Sequence, residues 1–170
     1  MSGETRLSFL GGGVMAEAIV NGVLSQKVIE SNRITIGDPV EARLEYMSAQ
    51  YGIHTTIDNL NAMNDADLIV IAVKPQQLGN LMGELSTNVK DSQIIISIVA
   101  GASLKTLQEG LQHSAIVRVM PNTPAQIGEG AIVWTAAPSV TKSDLLVVEK
   151  IIKTLGVDIY VYEEKYLISG

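Results

Sequence analysis

Short apolar runs alternate along this chain with longer stretches in which apolar residues recur every three or four positions. The runs at residues 68–73 (LIVIAV) and 93–99 (QIIISIV) are almost continuously apolar and rich in β-branched side chains. Such runs are typical of strands buried on both faces of a parallel sheet. Shorter runs predict further strands at residues 7–10, 33–36, 115–120, 131–135 and 157–162.

Helical periodicity fills the segments between these strands. After the first strand, i, i+3, i+4, i+7, i+8 spacing is shown by Ala16, Ile19, Val20, Val23 and Leu24. Further helices are predicted at residues 41–50 and 76–85, behind Ser103 as N-cap, and behind Thr141 with Asp144 in the capping-box position. This alternation predicts an α/β fold with a doubly wound, mainly parallel sheet, forming one domain over residues 1–170.

A glycine motif stands where the first strand gives way to the first helix. The segment LSFLGGGVMA places Gly11, Gly13 and Ala16 at the positions of a G-x-G-x-x-G/A pattern. Gly11 permits a tight turn, Gly13 leaves room for a pyrophosphate, and Ala16 allows close packing of helix on strand. Because an amphipathic helix follows, a dinucleotide-binding turn is favoured over an ordinary glycine turn.

Composition and charge narrow the functional classes. Of 170 residues, 46% are hydrophobic and 18% charged, which argues against disorder. A net charge of −6 argues against nucleic-acid binding, because a phosphate backbone needs a basic surface. Without an apolar run of roughly 18 residues or a secretory leader pattern, we expect a cytoplasmic protein with no membrane partner. The absence of cysteine excludes thiol chemistry, and no metal site is predicted.

Ligands of open α/β sheets bind beyond the carboxyl ends of the strands, so the residues that follow the strands matter most. The segments in question are Ala72-Val73-Lys74-Pro75, Val99-Ala100-Gly101 and Met120-Pro121-Asn122-Thr123-Pro124-Ala125. In the last of these, two prolines fix the backbone around Asn122 and Thr123. Their polar groups either point into a cleft or satisfy their own backbone in a rigid turn, and the pattern alone leaves both interpretations open.

The motifs FLGGGVMAEAI, AVKP, SIVAG and RVMPNTPA, in this order and spacing, resemble those of pyrroline-5-carboxylate reductase. The resemblance runs from about Leu7 to the end of the chain. It implies a Rossmann-like domain that binds NADPH or NADH for the reduction of the cyclic imine 1-pyrroline-5-carboxylate to proline. It also implies cofactor-binding roles for Leu10, Gly11, Gly12, Gly13, Val14 and Met15 at the pyrophosphate, Asn59 near the adenosine, Ala72, Val73, Lys74, Pro75, Val99, Ala100 and Gly101 near the ribose and nicotinamide, and Asn122 and Thr123 near the nicotinamide and substrate.

The end of the chain departs from this family. Its members continue through a Ser-Gly-Ser-Gly-Pro-Ala-Tyr segment into a helical domain that dimerises and completes the substrate site. Here Ser169 and Gly170 match only the first two residues. The helical domain is therefore expected to be absent, and the chain alone to bind cofactor without turnover. A homo-oligomer is expected only where that domain is present.

The corner after the second strand bears on the choice of cofactor. An acidic residue there usually binds the ribose 2′-hydroxyl of NAD, whereas an arginine accommodates a 2′-phosphate. This chain has Gly37 and Asp38 at the corner and Arg43 a helical turn later. Asp38 could instead cap a helix that starts at Pro39. On the family resemblance we favour NADP, with NAD possible.

The sequence does not identify a general acid, so the catalytic residues stay unknown. His54 is interpreted as a strand-edge residue, His113 as a solvated loop residue, and Glu163 and Glu164 as a solvated helix start. Two alternatives to the reductase remain. One is a deazaflavin-dependent NADP reductase, which the MPNTPA loop disfavours, and the other is a nucleotide-binding module without catalysis.

Overall fold

The computed structural model of the chain describes residues 4–162 and 164–167. Within these residues, eight strands form one sheet in the order β3-β2-β1-β4-β5-β6-β7-β8. The strands are β1 Leu7–Leu10, β2 Ile34–Gly37, β3 His54–Thr56, β4 Leu68–Ile71, β5 Ile94–Ser97, β6 Ile116–Met120, β7 Gly130–Ala136 and β8 Gly156–Tyr160. The helices are α1 Val14–Ser25, α2 Glu41–Tyr51, α3 Asn59–Met63, α4 Pro75–Leu85, α5 Leu104–Leu111 and α6 Lys142–Ile152.

The sheet is parallel except where β7 runs antiparallel to β6. Strand β1 lies between β2 and β4, so the chain moves outward from β1 in one direction and then returns to the other side. This reversal of strand order is the switch point of a doubly wound sheet, where ligands bind at the carboxyl ends of the strands. The predicted fold class, α/β with a mainly parallel sheet, is confirmed.

Two apolar layers cover the faces of the sheet. On one face, α1, α2 and α6 pack against side chains such as Phe9, Ile36 and Val117. On the other face, α3, α4 and α5 pack against Leu10 and Ile71 among others. Adjacent β1 residues thus serve opposite layers, which explains why the run at residues 7–10 is apolar without alternation.

The predicted caps are present on α5 and α6. Ser103 Oγ accepts a hydrogen bond of 3.1 Å from the amide of Thr106. Thr141 Oγ1 accepts one of 3.2 Å from the amide of Asp144. In both helices the hydroxyl satisfies an amide that has no partner within the helix itself, so the sequence places these helix starts correctly.

Two of the polar residues lie in surroundings that differ from the prediction. His113 is buried, not solvated, with its Nε2 2.6 Å from the carbonyl oxygen of Gln93. Glu164 is not a free surface residue, because its Oε2 lies 2.9 Å from Nη1 of the buried Arg118 and accepts a 2.5 Å hydrogen bond from the amide of Leu104. Glu163 lies outside the described residues. His54 is exposed on the edge strand β3, as predicted.

Across the part of the chain that the structure describes, no helix has the length and apolar character needed to cross a bilayer.

Candidate cofactor site

A cleft of about 490 Å³ opens at the carboxyl ends of β1, β2 and β4, at the switch point of the sheet. Its lining combines the glycine turn after β1, the corner after β2, the loop after β4 and one face of α4. The lining residues are Gly11, Gly12, Gly13, Gly37, Asp38, Pro39, Val40, Asn59, Ala72, Val73, Lys74, Gln77, Asn80, Leu81 and Glu84.

Gly11 and Gly13 occupy the turn for different structural reasons. Gly11 has a φ of +103°, and a Cβ there would lie 2.6 Å from the carbonyl oxygen of Ala72, so a side chain would clash with backbone. Gly13 has a φ of −74°, which any residue adopts, and a Cβ there would meet no atom within 4 Å. Gly13 is therefore not required for folding, and it keeps the space above the turn free.

Gly13 is also the N-cap of the twelve-residue helix α1, and it provides no side-chain cap. The first amides of a helix lack partners within the helix, and the helix dipole favours an anion at this end. The turn therefore places the first amides of α1 next to the free space at the Cβ position of Gly13. This combination suits a phosphate group.

Asp38 uses both carboxylate oxygens within the corner after β2. Oδ2 accepts a hydrogen bond of 2.8 Å from the amide of Gly12, and Oδ1 accepts one of 2.8 Å from the amide of Val40. The helix α2 begins at Glu41 with Val40 as its N-cap, so the alternative interpretation of Asp38 as the cap of a helix starting at Pro39 is wrong. Asp38 instead fixes the glycine turn against the corner while its carboxylate lines the cleft.

Behind the turn, on the side of α1 and α2, a cluster of polar side chains holds the loop. The Nε of Arg43 donates a hydrogen bond to the carbonyl oxygen of Gly12, and its Nη2 donates one of 3.2 Å to the carbonyl oxygen of Gly13. Glu17 lies 2.8 Å from Arg43 and accepts hydrogen bonds of 2.8 Å from Tyr46 and 2.5 Å from Tyr51. The guanidinium of Arg43 thus anchors the turn. No sequence pattern predicts the contacts of Glu17 with Tyr46 and Tyr51.

Burial and hydrogen bonding act in opposite directions on the pKa of Glu17. Burial works to raise it, but hydrogen bonds from Tyr51, Tyr46 and Arg43 together with the charge of Arg43 lower it below its ordinary value. For Tyr51, burial and the hydrogen bond to Glu17 both raise the pKa of the phenol. The cluster therefore keeps Glu17 ionised and Tyr51 protonated.

This cluster gives a testable dependence of stability on pH. A group whose pKa is lower in the folded chain stabilises the fold at pH values above its pKa in the unfolded chain, which is 4.5 for Glu17. This stabilisation is lost as the pH falls through the pKa of the folded chain. We expect Glu17→Gln to flatten the fall of the unfolding free energy below that pH. Urea unfolding from about pH 6 to pH 3 measures the slope. Glu45→Gln, at an exposed position of α2, is the control, and an unchanged slope in Glu17→Gln would contradict the interpretation.

Part of the cleft wall was not predicted from the sequence. Helix α4 contributes Gln77, Asn80, Leu81 and Glu84, which recur at helical spacing on one face. Near the corner, Nδ2 of Asn59 lies 3.4 Å from an oxygen of Glu84. Their i, i+3, i+4, i+7 spacing could have predicted that they share one face of α4. Because α4 directly follows the loop after β4, this face could also have been expected to line the cleft.

The structure brings half of the predicted cofactor-binding residues into the cleft and leaves the others outside its lining. Inside are Gly11, Gly12, Gly13, Gly37, Asp38, Asn59, Ala72, Val73 and Lys74. Leu10 and Val99 are buried, so only their backbone could face a ligand. The remaining predicted residues are Val14 and Met15 in the first turn of α1, Pro75 at the start of α4, Ala100 and Gly101 after β5, and Asn122 and Thr123 after β6.

The loop after β6 contains a short 3₁₀ helix, Thr123–Ile127. The Oδ1 of Asn122 accepts a hydrogen bond of 3.2 Å from the amide of Ala131 at the start of β7. This contact agrees with a structural role for the side-chain oxygen of Asn122. Among the described residues, no group of histidine and acidic side chains is placed to hold a metal ion.

The doubly wound sheet and the glycine turn at its switch point define the class of Rossmann-like dinucleotide-binding domains. A family model described as NADP oxidoreductase, coenzyme F420-dependent, matches residues 6–101, which is more than half of the chain. The chain therefore belongs to this family.

The resemblance to pyrroline-5-carboxylate reductase is confirmed by individual relatives. A curated pyrroline-5-carboxylate reductase of Synechocystis is 36% identical over 151 residues, covering 89% of this chain and 56% of the relative. A solved structure of the Coxiella burnetii pyrroline-5-carboxylate reductase matches with a TM-score of 0.88 and 32% identity over 96% of this chain. The Plasmodium falciparum enzyme, solved with NADP bound, matches with a TM-score of 0.83 and 26% identity. The chain spans between 56% and 61% of the lengths of these relatives.

Proposed function

We propose that this chain binds NADP(H) in the cleft at the switch point and serves the reduction of 1-pyrroline-5-carboxylate to L-proline. The observation that carries the proposal is the open space at Gly13 beside the first amides of α1. A pyrophosphate there would lie on the amides of the turn, with the adenosine ribose toward Asp38 and Asn59. The NADP bound to the Plasmodium relative supports the same choice of cofactor.

The extent of the similarity favours this reaction over one that uses coenzyme F420. The family model ends at residue 101, before the loop VMPNTPA. The Synechocystis pyrroline-5-carboxylate reductase is similar over 89% of the chain, and the Coxiella structure over 96%. The part of the chain after residue 101, including the turn at Asn122, therefore supports an imine reductase and disfavours the alternative.

When bound, the nicotinamide supplies the hydride, so the protein has to orient the cofactor and exclude water. Asp38 accepts from the amide of Gly12, and Arg43 donates to the carbonyl oxygens of Gly12 and Gly13, so the turn is held in place from two sides before a ligand arrives. Such preorganisation lowers the cost of ordering the loop on binding. In our proposal the loops after β5 and β6, with Gly101 and Asn122, lie toward the nicotinamide end.

The wider setting of the chain is also part of the proposal. The 170 residues form the cofactor-binding domain, and groups outside them complete the substrate site and form a homo-oligomer. The chain acts in the cytoplasm on a small imino acid, without a nucleic-acid or membrane partner. Its net charge of −6 supports the absence of a nucleic-acid partner.

Fluorescence titration with NADPH tests the binding step. We expect one site per chain that saturates in the micromolar range, competed by NADP⁺ and not by adenosine alone. A chain that does not bind NADPH at about 1 mM, far above typical cofactor affinities, would overturn the proposal.

The Asp38→Asn substitution tests which group governs the ribose corner. The Asp38 carboxylate lines the cleft and repels a 2′-phosphate, whereas asparagine keeps one oxygen for the amides that Asp38 holds. We expect the ratio of NADPH affinity to NADH affinity to rise about tenfold, or about 1.4 kcal/mol. Dissociation constants of both cofactors for both proteins measure the ratio, with the exposed Asp91→Asn as control. An unchanged ratio would show that Asp38 does not face the 2′ position.

A further inference from the structure

A second pocket, of about 280 Å³, lies at the other end of the sheet from the cofactor cleft. It is built around the amino ends of β1 and β2 and around β3, whereas the cleft lies at the carboxyl ends. The two are separated along β1 and β2 by about the length of a four-residue strand, or roughly 13 Å. Helix α3 borders both, with Asn59 in the cleft and Ala62 in the second pocket.

The floor of this pocket is a polar row that crosses three neighbouring strands. Ser8 of β1 is in register with Thr35 of β2, and Thr35 is in register with His54 of β3. All three residues line the pocket. On β1 and β2 the flanking residues are apolar and buried, so the polar row interrupts an otherwise apolar sheet. Polar side chains in line at the same register level, facing one pocket, suit a polar ligand better than core packing.

Ser8 supplies an independent indication of a ligand. Its exposed fraction is 1%, and its hydroxyl oxygen has no hydrogen-bond partner among the described residues. A buried hydroxyl without a partner is unfavourable, and nearly all such groups in folded proteins are paired. Ser8 is one of the residues that line the pocket, where an acceptor would satisfy its hydroxyl.

The charges at the pocket favour an anion. Arg6 and Arg33 both line it, and among the described residues neither guanidinium has a carboxylate oxygen within 4 Å. The Nη1 of Arg33 donates a hydrogen bond of 2.8 Å to the carbonyl oxygen of Glu4, which fixes the side chain without placing a carboxylate beside it. Among the lining residues, the only carboxylate that opposes these two cations is that of the exposed Asp65. Asp67, outside the lining, accepts a hydrogen bond of 2.9 Å from the amide of Arg6.

We propose that this pocket binds a phosphate group, either inorganic phosphate or the phosphate of a small phosphorylated metabolite. Two guanidiniums and the hydroxyls of Ser8 and Thr35 supply more donors than a planar carboxylate can use, whereas a tetrahedral phosphate presents several acceptor oxygens. The site does not depend on the function proposed for the cleft. Ser8 and Thr35 lie two residues before Leu10 and Gly37, so the strands that carry this site also carry the glycine turn and the corner of the cleft.

Backbone amide NMR on the full 170-residue chain separates this site from the cleft. Sodium phosphate is titrated at constant ionic strength, and shifts are followed at Ser8, Thr35 and His54 and, separately, at Gly12 and Gly13. We expect saturable shifts at the first set with a dissociation constant in the millimolar range or tighter. The absence of shifts there, or shifts confined to the glycine turn, would overturn the proposal.

Three variants assign the binding to the named groups. Ser8→Ala and Arg33→Gln should each weaken phosphate binding at least fivefold, and the exposed Lys105→Gln should leave it unchanged. Without phosphate, Ser8→Ala should be as stable as the wild type or more so, because it removes an unpaired buried hydroxyl. Unchanged phosphate affinity in Ser8→Ala and Arg33→Gln would contradict the site.

The source of the phosphate group is decided by comparing ligands. Equal affinity for inorganic phosphate and glycerol 1-phosphate assigns the site to the inorganic ion, and tighter binding of the ester assigns it to a phosphorylated metabolite. Acetate binding as tightly as phosphate would overturn the preference for a tetrahedral anion.

Discussion

Replacing Gly13 by valine is expected to weaken NADPH binding about 100-fold or more while the chain stays folded. A Cβ at Gly13 meets no protein atom within 4 Å and the backbone there has an ordinary φ, so the fold accommodates a side chain at this position. The same side chain occupies the space over the first amides of α1, where the pyrophosphate is proposed to lie. Calorimetric titration gives the affinity, and urea unfolding gives the stability.

Two glycine substitutions serve as controls for this result. Gly83→Val introduces the same side chain on α4, where a Cβ also meets nothing within 4 Å and which lies outside the cleft lining, so NADPH affinity should change less than twofold. Gly11→Val should instead prevent stable folding, because its Cβ would clash with the backbone of Ala72. Wild-type affinity in Gly13→Val would place the cofactor elsewhere.

The 170 residues alone are expected to reduce 1-pyrroline-5-carboxylate at less than about one thousandth of the rate of the complete Synechocystis relative. Orientation of reactants can contribute roughly 7 to 11 kcal/mol to catalysis, and losing about 4 kcal/mol of it already lowers the rate about 1000-fold. The chain matches 56% of that relative, and the described residues lining the cleft include no histidine that could hold the proton of an imine.

The loss of NADPH absorbance on addition of the imine measures this rate, with the Synechocystis enzyme as positive control. Fusing the remaining segment of that relative to this chain should restore turnover and dimerisation together. Rapid reduction that saturates with NADPH in the 170-residue chain alone would mean that the loops with Gly101 and Asn122 already form a complete site.

The sequence predicts the strands and helices of this fold well where apolar runs are long. The buried strands β4 and β5 and the amphipathic helix α1 were identified because their patterns repeat over several residues. Strand β3 has three residues with exposed or half-buried side chains, and α3 has five residues, so neither carries a clear period. The antiparallel β7 was recognised as a strand, but its direction depends on tertiary pairing with β6.

The candidate site shows a similar division. The glycine turn is predictable because Gly11 answers a local steric need, as its positive φ shows, and because Gly13 leaves the space above the turn free. The sequence leaves the roles of Asp38 and Arg43 open and wrongly predicts a solvated Glu164, because the partners of all three are distant in sequence. Asp38 holds Gly12, Arg43 pairs with Glu17, and Glu164 pairs with Arg118, 46 residues away. Such pairings follow from the fold and not from local spacing.

Backbone amide NMR of the chain titrated with NADPH tests whether a nicotinamide dinucleotide binds on the glycine turn. We expect the largest shifts at Gly12, Gly13, Asp38 and Lys74, saturation at one NADPH per chain, and loss of these shifts in Gly13→Val. Shifts that spare the glycine turn, or that persist unchanged in Gly13→Val, would contradict binding at this turn.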